Sequence, residues 1–225
     1  DTYVAWCWKE SATAGFDIVT YTGNGSARTI SHSLSAVPKM FIIKNRSASS
    51  GDRGWGVYHV SNGNTHFLEL NLTAAKDESS GLFNDTTPTS SVFSVGDNSR
   101  VNTNTETYIA YLFAEKQGFS KFGSYTGNGN ADGTFVFCGF RPAYVMIKNS
   151  TSGSSHWVIA DNKREGYNVD NDPLYPNLNA AEGTTDFMDI LSNGFKLRTT
   201  GVDFNASGDT YIYMAFAEAP FVNSK

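Results

Sequence analysis

The chain has 225 residues, of which 40% are hydrophobic, 14% aromatic and 17% charged, and it carries a formal net charge of −5. That apolar content excludes a disordered polypeptide, and the negative balance argues against a nucleic-acid partner, which would want a basic face. No apolar run approaches the roughly 18 residues needed to span a bilayer, and no signal peptide is visible, so membrane insertion is not expected.

The chain opens on Thr2-Tyr3-Val4-Ala5-Trp6-Cys7-Trp8-Lys9-Glu10, apolar on both alternating faces and therefore read as a central strand. Gly15–Tyr21 follows as a strand and ends in the turn signal Tyr21-Thr22-Gly23-Asn24-Gly25, whose glycines suit positive φ. Phe41-Ile42-Ile43 reads as a second buried strand, preceded by Pro38 and followed by Lys44-Asn45. Trp55–Val60, His66–Leu72 and Val92–Val95 complete a series of short strands before the apolar Thr107–Glu115. Any helix is expected to be a single turn, near Thr73–Lys76 or Asn179–Glu182.

From Gly118 the series begins again. Tyr125-Thr126-Gly127-Asn128-Gly129 repeats the first turn at a shift of 125 − 21 = 104. Pro142–Asn149 repeats Pro38–Asn45 at the same shift, Trp157 answers Trp55 at 102, and Asn177-Leu178 answers Asn71-Leu72 at 106. Shifts that drift this little mean loop changes between fixed elements. Thr107–Glu115 recurs as Thr210–Glu218 and also matches Thr2–Glu10, so the closing segment occurs three times and the rest of the unit twice. The expectation is an all-β chain of two tandem antiparallel β-sandwich (jelly-roll-like) repeats. Residues 1–12 are read as the closing strand of a preceding module, 13–116 as repeat 1 and 117–225 as repeat 2. With Asp1 in place of an initiator Met, the sequence is read as the C-terminal part of a longer polypeptide. Only Ala114–Gly118 joins the repeats, which predicts a stiff pair.

Reactive groups do not converge in the sequence. His32, His59, His66 and His156 have no metal-ligand spacing, and neither a Gly-x-Ser-x-Gly elbow nor a phosphate loop occurs. Cys7 and Cys138 do not occupy equivalent repeat positions and read as two small core side chains rather than a disulfide. Glu10, Glu115 and Glu218 recur at the same strand end of successive units, where a glycosidase pair at about 5–9.5 Å is not expected to form; they read as solvated charges. Trp55 and Trp157, being equivalent, read as core anchors. No catalytic residue, metal ligand or cofactor is assigned. Six Asn-x-Ser/Thr sites, from Asn24 to Asn205, matter only if a eukaryotic secretory pathway made the protein.

Function is sought instead where the copies differ, because divergent loops are free to serve it. The second copy carries Asn162–Tyr175, a mixture of rings, amides and charges suited to a sugar or protein contact. Arg164, Tyr167, Asn168, Asp170, Asp172 and Tyr175 are the candidate ligand-binding residues. Asp170 and Asp172 offer clustered oxygens for Ca²⁺, but the spacing of an EF-type loop is missing. Asn45–Arg53 and Asn62–His66 are the corresponding loops of the first copy.

The turn motif, the Pro-x-x-x-Ile-x-Lys-Asn strand, the Trp strand and the closing Thr-Tyr-Ile-Ala-Tyr-x-Phe-Ala-Glu together resemble a repeat of unknown function in tail-associated virion proteins of marine bacteriophages. Leu191–Thr200 and Ala217–Ser224 resemble the last module of that family, and Thr2–Lys9 the close of a lectin-like module that often precedes it. The resemblance implies an extracellular tail fibre or similar virion appendage, a symmetric homo-oligomer such as a trimer, and leaves open whether it recognises the host or is purely structural; contact with a host surface glycan or protein receptor is the expectation placed on the divergent loops. The alternative is a secreted cellular carbohydrate-binding or adhesin domain that polymerises by strand exchange through Thr2–Glu10.

Overall fold

The computed structural model describes residues 4–47, 54–164, 168–169 and 172–219. Within these the chain is all-β. The first half contributes β1 (Phe16–Thr22), β2 (Arg28–Ser31), β3 (Pro38–Asn45), β4 (Gly56–His59), β5 (His66–Glu69), β6 (Asp77–Glu78), β7 (Val92–Val95) and β8 (Thr107–Ala114). The second contributes β9 (Ser120–Thr126), β10 (Phe135–Phe137), β11 (Pro142–Asn149), β12 (Trp157–Asp161), β13 (Met188–Leu191), β14 (Gly194–Leu197) and β15 (Thr210–Ala217).

The larger sheet of the first half runs β1-β8-β3-β4-β5-β6, and that of the second runs β12-β11-β15-β9. Read from the other edge, the latter is β9-β15-β11-β12, so the first four strands of both sheets pair in one order. The smaller sheets, β2-β7 and β10-β14-β13, are likewise built on equivalent antiparallel pairs, with Ile30 opposite Phe93 and Val136 opposite Phe195. Register breaks between Pro38 and Met40, and again between Pro142 and Tyr144. A shared irregularity at the proline that opens each strand follows from its missing N–H.

Period-two alternation explains why the closing strands are apolar on both faces. On β8, Tyr108, Ala110, Leu112 and Ala114 enter a core shared with Phe93 and Val95 of the small sheet, while Phe113 faces the other way. On β15, Tyr211, Tyr213 and Ala215 join Phe195 and Leu197, while Ile212, Met214 and Phe216 face away. The outward residues of both halves meet in a third core, where Phe16, Met40, Ile42, Val57, Leu68 and Phe113 pack with Phe122, Tyr144, Met146, Trp157, Ile159 and Met214. The large sheets are thus packed on each other across an apolar seam, with each small sheet on the far side.

Polar groups also cross the seam. Trp157 donates its indole N–H to the Glu69 carbonyl at 2.9 Å. The fully buried Lys148 donates Nζ to the carbonyls of Thr73, Asn149 and Ser155 at 3.1, 2.9 and 2.9 Å, and burial lowers its pKa to about 8 against the pull of Asp203.

Three expectations differ from what forms. The single-turn helices are α1 (Ser80–Phe83) and α2 (Ser99–Asn102), not Thr73–Lys76 or Asn179–Glu182. Leu82, Phe83 and Val101 serve there as core plugs. Residues 4–10 lie in no strand: the segment's rings, not its backbone, make the contacts. Trp8 packs edge-on against Tyr144 and Phe216, both at 5.3 Å, and Trp6 against Tyr144 at 5.4 Å. Cys7, on the alternate side, is therefore exposed, whereas Cys138 is buried, its thiol pushed up to about 12 by desolvation.

Candidate functional site

The repeated turn motif is consumed by the fold, and in the same way twice. Tyr21 stacks on Tyr108 at 5.2 Å and donates to the Val101 carbonyl at 2.7 Å. Tyr125 stacks on Tyr211 at 4.9 Å and donates to the Phe204 carbonyl at 2.6 Å. Beneath each turn lies a fully buried asparagine. Asn102 accepts from the Asn24 N–H and donates to Asn24 Oδ1, Ser26 O and Gly96 O. Asn205 accepts from the Asn128 N–H and donates to Asn128 Oδ1, Asn130 O and Thr199 O. Gly25 and Gly129 take φ of +71° and +64°, which L side chains resist. A Cβ on Gly23 or Gly127 would overlap the carbonyl oxygen of Thr103 or Ala206.

The copies part company after β4 and β12. Val57 pairs with Leu68 in the first half, and Ile159 bridges Leu174 in the second. Asn71 and Asn177 cap the Trp55 and Trp157 amides in both, at 2.7 and 3.1 Å. Between His59 and Leu68 the chain advances 68 − 59 = 9 positions, and between the equivalent Asp161 and Leu174 it advances 174 − 161 = 13. The second copy therefore carries four additional residues in this loop.

Arg164 organises that loop. Its Nε meets Asp161 Oδ2 at 3.0 Å, and its Nη1 meets the Asp172 carbonyl at 2.5 Å and Glu182 Oε2 at 2.8 Å. Asp161 also accepts the Lys163 amide at 2.9 Å. Asp172 is buried, with desolvation and the Glu182 carboxylate raising its pKa. Tyr175 packs on the second core and stands edge-on to His156 at 5.6 Å. Of the sequence candidates, Arg164, Asp172 and Tyr175 thus brace the loop from within, while Asn168, like Lys163, is exposed. Tyr167 and Asp170 lie outside the described residues.

Sequence reasoning passed over a second divergent surface. Phe135 and Phe137 on β10 are 45% and 62% exposed, where register places Thr29 and Ser31 in the first copy. They stand beside the Lys196–Asp132 and Arg198–Asp189 ion pairs. The signal was available as Phe-Val-Phe against Thr-Ile-Ser, but β2 and β10 are too short to have been recognised as strands.

At the strand ends, Glu115 accepts from Lys121 Nζ at 2.9 Å and from the Phe122 amide at 3.1 Å. Glu218 accepts from Asn162 Nδ2 at 2.8 Å and faces Arg141 at 3.8 Å. Among the described residues no group of three or more His, Cys, Asp or Glu side chains could hold a metal ion, and no helix is long and apolar enough to cross a membrane.

A family model described as a domain of unknown function, DUF7483, matches residues 1–220, and the chain belongs to that family. No curated protein and no solved structure matches it.

Proposed function

We propose that this DUF7483 chain is a non-enzymatic structural and adhesion module of a phage tail fibre or similar virion appendage, built from two duplicated sandwich-like bodies, which contacts a host cell-surface glycan. One observation carries the reading. The polar groups that the two copies share, Tyr21/Tyr125, Asn102/Asn205 and Asn71/Asn177, are spent on bracing turns and strands. What differs between the copies is surface: the Arg164-braced loop that displays Lys163 and Asn168, and the Phe135/Phe137 face. Exposed rings flanked by paired charges of both signs suit the apolar face and hydroxyl rim of a sugar better than a polyanion.

A glycan array probed with the chain tests this. Binding that is lost in the Lys163→Ala/Asn168→Ala double variant or in Phe137→Ala, with folding unchanged, is the expected result. Release of oligosaccharides from a bound polysaccharide would overturn the non-enzymatic part, and absence of any glycan binding the adhesive part. A second reading, a secreted cellular adhesin that exchanges strands, draws support from residues 4–10. They repeat the sequence of β8 and β15 while pairing with no strand.

A further inference from the structure

Three small or aliphatic side chains of the first copy are replaced in the second by a guanidinium, a ring and an amide, and the three gather at Glu218. The register that equates Pro38 with Pro142 and His59 with Asp161 sets Arg141 against Val37, Phe140 against Ala36 and Asn162 against Val60. The Glu218 amide donates to the Arg141 carbonyl at 2.9 Å, and its Oε1 accepts from Asn162 Nδ2 at 2.8 Å. In the first copy the equivalent carboxylate, Glu115, is held by Lys121 Nζ and the Phe122 amide, at the junction between the halves. Shared positions serve the fold, and divergent ones are free to serve function.

These residues border a solvent-open recess of about 320 Å³, walled by Gly118, Gly139, Phe140, Arg141, Ser192 and Glu218. The exposed ring of Phe137 lies at its rim, since a Cβ built on Gly139 would stand 3.7 Å from that ring. The recess therefore adjoins both divergent surfaces: β10 through Gly139, and the Arg164-braced loop through the hold of Asn162 on Glu218. Ligand clefts run from about 300 to 1,000 Å³, so this one has room for a single sugar ring.

The charges in the wall specify the chemistry of the occupant. Arg141 Nη1 and Glu218 Oε2 stand 3.8 Å apart, too far for a hydrogen bond to each other but within reach of one oxygen set between them. A group there must accept from the guanidinium and donate to the carboxylate, and a hydroxyl does both. A carboxylate would meet Glu218 as a like charge, and an ammonium would meet Arg141 as one. We infer that the recess is the subsite for one neutral pyranose of the glycan, with a hydroxyl bridging Arg141 and Glu218 and the apolar ring face resting on Phe137. The subsite presupposes the glycan contact proposed above and adds to it the sugar class and the residues that hold it.

The oligosaccharide bound most tightly on the glycan array is the probe, titrated into the isotope-labelled full chain and followed by NMR. Saturable shifts are expected at the amides of Gly139, Arg141 and Ser192. Arg141→Ala and Glu218→Gln should each weaken binding at least about tenfold, the worth of one hydrogen bond to a charged group. Gln at 218 keeps the acceptor for Asn162. No array binding by the unmodified chain would overturn the glycan reading and the subsite with it. A bound oligosaccharide that leaves the Gly139, Arg141 and Ser192 amides unmoved would overturn the subsite alone, and so would full affinity in either variant. The shifts are read on the unmodified chain, so they decide the matter even where a variant fails to fold. Binding restricted to oligosaccharides with a carboxylate on the terminal sugar would overturn the neutral class.

Discussion

His59 on β4 holds the carbonyl of Tyr213 on β15 across the seam, with Nε2 and O 3.1 Å apart. Its Nδ1 accepts the Ser61 amide at 3.2 Å, which makes Nε2–H the donor and the ring neutral. Burial lowers its pKa from 6.5 to about 4.

The unfolded chain therefore binds this proton first, and the contribution of His59 is full above pH 6.5 and lost as pH falls towards 4. Between pH 7 and pH 4.5 that loss is about 2–3 kcal/mol. Denaturant midpoints measured at both pH values should converge less for the unmodified chain than for His59→Gln, which keeps a donor but cannot titrate. An identical pH dependence in the two proteins contradicts the assignment.

Asn102→Ala should cost about 2 kcal/mol, because it leaves the buried Gly96 carbonyl and the part-buried Asn24 amide and Ser26 carbonyl without their partner. Asn205→Ala should cost a similar amount for the same reason in the other copy. Urea unfolding of the two variants reads this directly, and a marked inequality would show that the two turns are not energetic equivalents.

Lys148→Met keeps most of the stem but leaves the Thr73, Asn149 and Ser155 carbonyls without their donor. A loss of about 3 kcal/mol is expected, whereas Lys44→Met, at the equivalent position beside the Trp55 ring with Nζ 5.3 Å from its centroid, should lose about 1 kcal/mol or less. Thermal unfolding of the pair measures the difference.

Trp8→Ala should lower stability by about 2 kcal/mol, less than for a fully buried ring, since one side of the indole already meets solvent. A differential scanning measurement with no change in Tm would mean that residues 4–10 do not seal the seam.

The closing strands were legible because both of their faces are apolar, and Val4, Trp6 and Trp8 share the seam-facing pattern of Phe113 and Phe216. Sequence alone gave no sign that the first of these segments would dock its rings without pairing its backbone, since side-chain period does not encode hydrogen-bond partners. Loop divergence at Asn162–Tyr175 was legible as well. The inward turn of Arg164 was not, because Asp161, Asp172 and Glu182 meet it only after folding. The helices at Ser80–Phe83 and Ser99–Asn102 carry no periodic signal in four residues and are set by the core that Leu82 and Val101 fill.

The outward faces of the two large sheets pack into one apolar seam, which is expected to make the two halves of the chain a single cooperative unit. Native-state hydrogen exchange, followed by mass spectrometry on peptides covering β8 and β15, tests it most directly. Equal opening free energies with equal denaturant dependence in the two peptides are predicted. Opening of one half at denaturant concentrations that leave the other protected would contradict it.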